Sequence, residues 1–247
     1  DSNLKKVVLE LGGKNPCIVL DDAEDLDKVA QQVCAAAFWN MGENCSAGSR
    51  LIVQAGIKDQ LLERIKAHAR DWNTGDPLDP NNQLGALIDK GHFSKVAGYL
   101  QHGKESGHSV VLGGETLDGI YVQPTVFDGV RSSDKLAQEE IFGPVLSVIT
   151  VASYDEAIAV ANDTDYGLAA SVFTANAKKA LRAAQAVRAG TVTVNCFGEG
   201  DITTPFGGYK QSGFGGRDNS VHAHDQYTEL KTIWIDLSDD AVDGCVD

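Results

Sequence analysis

The chain has 247 residues, 43% of them hydrophobic and 23% charged, which is the composition of a globular protein with material for a sizeable core. Twenty-one basic against 35 acidic side chains give a formal charge of -14, which argues against nucleic acid and anionic membrane as partners, since both need a basic footprint. Five scattered cysteines without a C-x-x-C pair form neither a disulfide framework nor a zinc ligand set, so no metal is expected and a reducing, cytoplasmic setting is.

No apolar run approaches the ~20 residues of a membrane span, and no charged-then-apolar leader opens the sequence. Val7 to Leu11 is a short apolar strand carrying one carboxylate, Glu10, followed by Gly12-Gly13-Lys14. A second apolar run extends from Pro16 to Leu20. From Leu26 to Met41 apolar residues recur at helical spacing, and this helix delivers the chain to Gly42 and Cys45. Cys34 lies on the buried stripe and reads as core packing.

Leu51 to Val53 reads as a strand, Lys58 to Trp72 as a helix, and Asp76 to Asn82 as a loop. Lys90 to His102 is helical, Ser109 to Leu112 a strand, and Tyr121 to Phe127 extended. Ser153-x-x-Glu156 is a capping box that opens the helix Asp155 to Ala161. A strand over Ala169 to Phe173, a helix over Asn176 to Arg188 and a strand over Thr191 to Asn195 follow. Alternation of this kind calls for an α/β fold with a doubly wound, mostly parallel sheet. After Phe206 the texture becomes Gly-rich, and Lys231 to Leu237 is an isolated alternating strand suited either to an edge or to another subunit's sheet. The last ten residues form an acidic tail.

Four features carry chemical potential. Glu10 sits in an apolar strand, where burial raises a carboxylate pKa toward the range of a general base; a strand-end carboxylate facing water fits the pattern equally. Cys45 lies among small residues in Gly42-Glu43-Asn44-Cys45-Ser46-Ala47-Gly48-Ser49-Arg50, open to a substrate as a nucleophile, although packing alone also explains it. Glu139-Glu140-Ile141-Phe142-Gly143-Pro144-Val145 offers carboxylates suited to a ribose diol beside a ring suited to a planar cofactor, although a solvated turn with a core Phe also explains it. Pro205-Phe206-Gly207-Gly208-Tyr209-Lys210 is a sharp aromatic turn. Gly213-Phe214-Gly215-Gly216 lacks the dinucleotide fingerprint spacing, and His222-x-His224 is too thin for a metal.

In this order the four features resemble the aldehyde dehydrogenase superfamily, from residue 1 to about residue 237. The resemblance implies Cys45 as nucleophile, forming a thiohemiacetal and then a thioester, with its backbone N–H as an oxyanion donor. It implies Glu10 as the base for hydrolysis, and a nicotinamide cofactor, NAD or NADP, bound by Glu140, Phe142, Leu11 and Gly12. Phe206, Asn195, Ser46, Glu199 and Asp201 would line the aldehyde tunnel. The product is a carboxylic acid, and Lys231 to Leu237 becomes an oligomerisation strand joining copies of the chain.

The family's cofactor domain precedes the general-base strand. Residues 1–13 therefore read as the end of that domain plus the base strand, 14–207 as the catalytic α/β domain, 208–237 as the return and oligomerisation strand, and 238–247 as the tail. With so little of the cofactor domain, dehydrogenase activity of this chain alone is not expected. A cofactor-independent thiol esterase and a non-catalytic oligomerising module are the alternatives. Glu199 to Phe206 and Tyr227 to Ile235 look like bacterial enzymes acting on γ-glutamyl-aminobutyraldehyde and other aminoaldehydes. There Glu199 and Asp201 would favour a cationic substrate end.

Overall fold

A computed structural model describes residues 4–198 and 200–237; Glu199 and the acidic tail lie outside the described residues. The elements in order are β1 (Leu9–Glu10), β2 (Pro16–Val19), α1 (Leu26–Phe38), β3 (Arg50–Gln54), α2 (Lys58–Ala69), α3 (Lys90–Glu105), β4 (Ser109–Leu112), β5 (Thr116–Leu117), β6 (Tyr121–Val122) and β7 (Thr125–Asp128). Then come α4 (Lys135–Gln138), β8 (Val145–Val151), α5 (Tyr154–Asn162), β9 (Tyr166–Gly167), β10 (Ala169–Phe173), α6 (Ala177–Ala186), β11 (Thr191–Val194), β12 (Tyr209–Lys210) and β13 (Gly213–Phe214).

Seven strands form the central sheet in the order β11-β10-β2-β3-β8-β7-β4. All neighbours are parallel except the edge pair β4 and β7. Side chains of successive strand residues point to opposite faces, so each strand feeds two cores. Leu146 and Val148 of β8 join Leu51 and Val53 in packing against α1 and α2. Val145 and Ile149 turn to the other face, beneath Val96 and Leu100 of α3. Val151 and Ile52 pack with Ala157 and Ala161 of α5 and Ala183 of α6. Helices therefore cover both faces, as parallel sheets require. Cys17 and Cys34 are buried, and burial pushes both thiols up to about 12.

The structure departs from the sequence reading at four places. The reading passes over β8, a central strand whose seven residues follow directly on Gly143-Pro144. The extended run Tyr121 to Phe127 breaks at Pro124, which lacks an N–H for a ladder; β6 pairs with β5, and β7 joins the main sheet. Helix α1 ends at Phe38, because Asn40 (φ 52°), Met41 (φ 58°) and Gly42 (φ 68°) turn left-handed in succession. Lys231 to Leu237 is exposed and joins no ladder among the described residues, so the expected strand does not form within this chain. A strand without a neighbour has no hydrogen bonds to define it.

The Gly-rich return packs back on the start of the chain. β13 runs antiparallel to β1, setting Gly213 opposite Glu10, and β12 runs antiparallel to β9. No described helix is long and apolar enough to cross a membrane.

Candidate active site

The Cys45 turn rests on the sheet through Asn15, which stands one residue before β2 and is buried. Asn15 Nδ2 donates to the carbonyls of Cys45 (2.8 Å) and Ala47 (2.9 Å). Its Oδ1 accepts from the Ala169 N–H at the start of β10 (2.9 Å). One amide thus fixes the turn to two strands. Inside the turn, Ser46 donates through both N–H and Oγ to Asn44 Oδ1. Cys45 is half-buried.

Arg50, at the end of this motif, is fully buried yet meets three carbonyls: Lys14 through Nε (2.8 Å), and Val160 and Ala161 at the end of α5. A guanidinium suits that place, where the helix dipole gathers negative potential. Lys210 Nζ adds hydrogen bonds to Asn162 and Thr164 carbonyls at the same helix end.

Gly12 and Gly13 join the Cys45 turn to the third motif. The Gly13 N–H donates to Glu140 Oε1 at 2.9 Å. A Cβ on Gly12 would collide with the Glu140 carboxylate, and one on Gly13 with the Cys45 carbonyl. Only bare backbone lets both approach so closely. Leu11, more exposed, donates its N–H to the Ser212 carbonyl (3.0 Å). Phe142 is half-buried, in a left-handed turn (φ 59°).

Glu10 stands on the β1–β13 ladder with its carboxylate against Gly207. Oε2 is buried without a hydrogen-bond partner. Desolvation, and then the negative charge of Asp218, raise its pKa; the Gly208 N–H and Arg217 pull the other way but do not cancel them. A raised pKa makes the ionised carboxylate a stronger proton acceptor than a free one. Phe206 exchanges backbone hydrogen bonds with Asp218 (2.8 and 2.7 Å), so its turn lies beside the Glu10 environment.

The remaining candidates are placed differently. Asn195 spends its amide on the backbone of Thr174, accepting from the N–H (2.9 Å) and donating to the carbonyl (3.0 Å). Asp201 is exposed, and hydrogen bonds from Thr203 Oγ1 and N–H hold its carboxyl below the usual range. Among the described residues no cluster of His, Cys, Asp or Glu is arranged to hold a metal.

Sequence reading alone missed Asn15, Lys14, Arg217, Asp218 and His92. Asn15 offers a faint signal, an amide set directly before an apolar strand. The others carry none, because their neighbours in the fold are far away in sequence. Lys14 is the extreme case: its Nζ is fully buried without a hydrogen-bond partner. Burial, with Arg50 nearby, lowers its pKa to about 7 against the opposing pull of Glu140 and Glu139.

The aldehyde dehydrogenase family profile matches residues 1–233. The chain belongs to the aldehyde dehydrogenase family. It is 63% identical over 238 residues to the aminoacetaldehyde dehydrogenase of Pseudomonas aeruginosa, covering 96% of this chain and 48% of that protein. The crystal structure of a γ-glutamyl-γ-aminobutyraldehyde dehydrogenase from Burkholderia cenocepacia superposes with a TM-score of 0.90 at 52% identity, over 93% of this chain and 47% of that one. An indole-3-acetaldehyde dehydrogenase in complex with NAD+ superposes with a TM-score of 0.93 at 51% identity, over 96% of this chain and 48% of that one. The chain spans about half the length of the curated relatives it matches.

Proposed function

We propose that this chain carries the catalytic half of an NAD(P)-dependent aldehyde dehydrogenase. The observation that supports this best is the Gly12–Gly13 cradle, which brings the Glu140 carboxylate and the Cys45 turn against adjacent residues of one backbone. A carboxylate suits a ribose diol, and a thiolate beside it meets the aldehyde where the cofactor ends. In this reading residues 14–207 are the catalytic domain, with the base strand before it and the return after it.

Cys45 Sγ adds to the aldehyde carbon, and the carbonyl oxygen gains negative charge that the Cys45 N–H stabilises. A nicotinamide cofactor, when bound, supplies the hydride acceptor that converts the thiohemiacetal to a thioester. Glu10 then takes a proton from water; the hydroxide adds to the thioester carbon, the carboxylic acid leaves, and the Cys45 thiolate is restored. Glu140 and Gly12 would hold the ribose, with Leu11 beside them, and Phe142 would border the ring. Phe206, Ser46, Asp201 and Asn195 would line the aldehyde's approach.

An aminoaldehyde is the proposed substrate, supported by the name of the 63% identical relative and by the charge of Asp201. The enzyme is proposed to act in the cytoplasm as a homo-oligomer joined through Lys231 to Leu237, whose apolar Ile233, Trp234, Ile235 and Leu237 are exposed in the single chain. The test is reduced-cofactor production from aminoacetaldehyde by the protein expressed from its full reading frame, with and without Cys45→Ala. Undiminished turnover by the Cys45→Ala protein sinks the mechanism. The chain of 247 residues is expected neither to bind NAD tightly nor to oxidise aldehydes, while hydrolysing p-nitrophenyl acetate slowly through Cys45.

A further inference from the structure

The imidazole of His92 lies between the nucleophile turn and the Glu140–Phe142 segment. His92 occupies the first turn of α3, and the cap residue Asp89 accepts its backbone N–H at 2.7 Å, which fixes the root of the side chain. Its Nε2 stands 2.5 Å from the Phe142 carbonyl and 3.4 Å from Glu43 Oε1. Both neighbours are acceptors, so Nε2 must carry the proton, and the tautomer follows from geometry. The imidazole also meets the Phe142 ring edge-on, with centroids 5.9 Å apart.

Each group it touches is itself constrained. Glu43, two residues before Cys45, accepts the Ile88 N–H on the same Oε1 at 3.0 Å. Phe142, two residues after Glu140, holds a left-handed conformation that a bulky residue adopts only under outside restraint. The two segments also touch directly: Gly42 (φ 68°) packs so close to the Gly143 carbonyl that a Cβ would collide with it. His92 supplies the polar half of this junction and Gly42 the steric half.

We propose that His92 is a positioning residue that locks the Cys45 turn to the Phe142 backbone, so that the conformation of the ring-bearing segment and the reactivity of Cys45 are coupled. This rests on the reading of Cys45 as nucleophile, but its test does not require dehydrogenase activity. Removing the imidazole frees the Phe142 carbonyl and leaves the Glu43 carboxylate with the Ile88 N–H but without the imidazole N–H, two residues from the thiol. A less restrained negative charge near Cys45 disfavours the thiolate.

The experiment measures iodoacetamide alkylation of this chain, resolved by peptide mass spectrometry, with exposed Cys196 as internal control. His92→Ala is expected to slow Cys45 by roughly five- to tenfold, the size of coupling found within one hydrogen-bond network, while Cys196 is unchanged. His92→Gln, whose amide N–H reaches a similar distance, restores most of the rate. Glu43→Gln added to His92→Ala recovers part of it. Should His92→Ala fail to fold, His92→Asn against His92→Gln decides: the shorter amide cannot reach, so Asn must be slow and Gln fast. An unchanged Cys45 rate in His92→Ala, or Gln as slow as Ala or Asn, overturns the proposal. In unaltered protein, Cys45 reacting no faster than Cys196 speaks instead against its role as nucleophile.

Discussion

The two catalytic candidates stand on very different foundations. Cys45 hangs from Asn15, which stands just before β2 and whose amide ties the Cys45 turn to the start of β10, both strands lying inside a seven-stranded sheet. Glu10 stands on a ladder of two residue pairs, outside that sheet, with one carboxylate oxygen satisfied by nobody. A nucleophile must meet its electrophile within tenths of an ångström, so a stiff mounting serves it. A base that acts on water after the first half of the reaction gains from a mounting that permits adjustment. The carboxylate faces bare backbone, with Gly207 close against it and a hydrogen bond from the Gly208 N–H, and among the described residues no side chain clamps it as Asn15 clamps the Cys45 turn.

Asn15→Ala attacks the stiff side and carries the largest expected effect. It removes two donated hydrogen bonds and one accepted one from a buried site, leaving the Ala169 N–H and two carbonyls without that partner. The loss is on the order of 3–5 kcal/mol, read by urea denaturation. Cys45 alkylation should slow even in the fraction that stays folded. A loss below about 1 kcal/mol would mean that the turn is held by something other than Asn15.

Lys14→Met probes the same side with the opposite sign. In the folded protein the amine gives up its proton near pH 7, whereas the unfolded chain keeps it to 10.5. Between those values the unfolded state binds more protons, so stability rises with pH, and the penalty is fully present below about 7. Methionine fills a similar volume without a charge and is expected to stabilise the protein by a few kcal/mol at low pH. Its unfolding free energy should lose the upward slope. Should wild type and variant share one slope, Lys14 is not the titrating group.

The same asymmetry decides what was legible in the sequence. The Cys45 side was readable because its motif is contiguous and its helix keeps a regular apolar spacing until Phe38. The strands beneath it were visible as short apolar runs, except β8, whose seven residues follow directly on the Gly143-Pro144 turn signal and are masked by it. The Glu10 side was readable only as one carboxylate in an apolar run. The neighbours that set its pKa, Asp218 and Arg217, come from the Gly-rich return, where no periodicity marks them. Asn15 and His92 act through contacts 30 or more residues away, which local pattern does not encode. Lys231 to Leu237 had the alternation of a strand, but a ladder needs a neighbour, and pattern does not say where one is.

Glu10→Gln tests the adjustable side and should barely change stability. The folded carboxyl keeps its proton to higher pH than the unfolded value of 4.5. Its stabilising contribution is therefore present below 4.5 and lost as pH rises through the raised value. Wild type should lose less than about 1 kcal/mol across that window, because a half-exposed carboxylate is screened by water; the variant should lose none of it. Turnover should respond far more. Acylation of Cys45 by p-nitrophenyl acetate should persist while deacylation falls by roughly a hundredfold, the usual contribution of a positioned base. Equal loss in both steps would make Glu10 a structural residue and remove the contrast between the two mountings.

The smallest effect is expected at the outer turn, with Asp201→Asn. Thr203 donates both its hydrogen bonds to a single oxygen, Oδ1. Asparagine retains that acceptor, so the turn keeps its shape while the charge disappears. In the full-length enzyme, kcat/KM for an aminoaldehyde should fall roughly two- to fivefold, as befits one solvent-screened charge, and kcat/KM for a neutral alkyl aldehyde should stay constant. Raising ionic strength should produce the same selective loss in wild type and little further loss in the variant. If both aldehydes lose equally, Asp201 shapes the turn rather than selecting a cationic substrate, and the proposed preference for aminoaldehydes would have to rest on residues deeper than Asp201, beside Phe206.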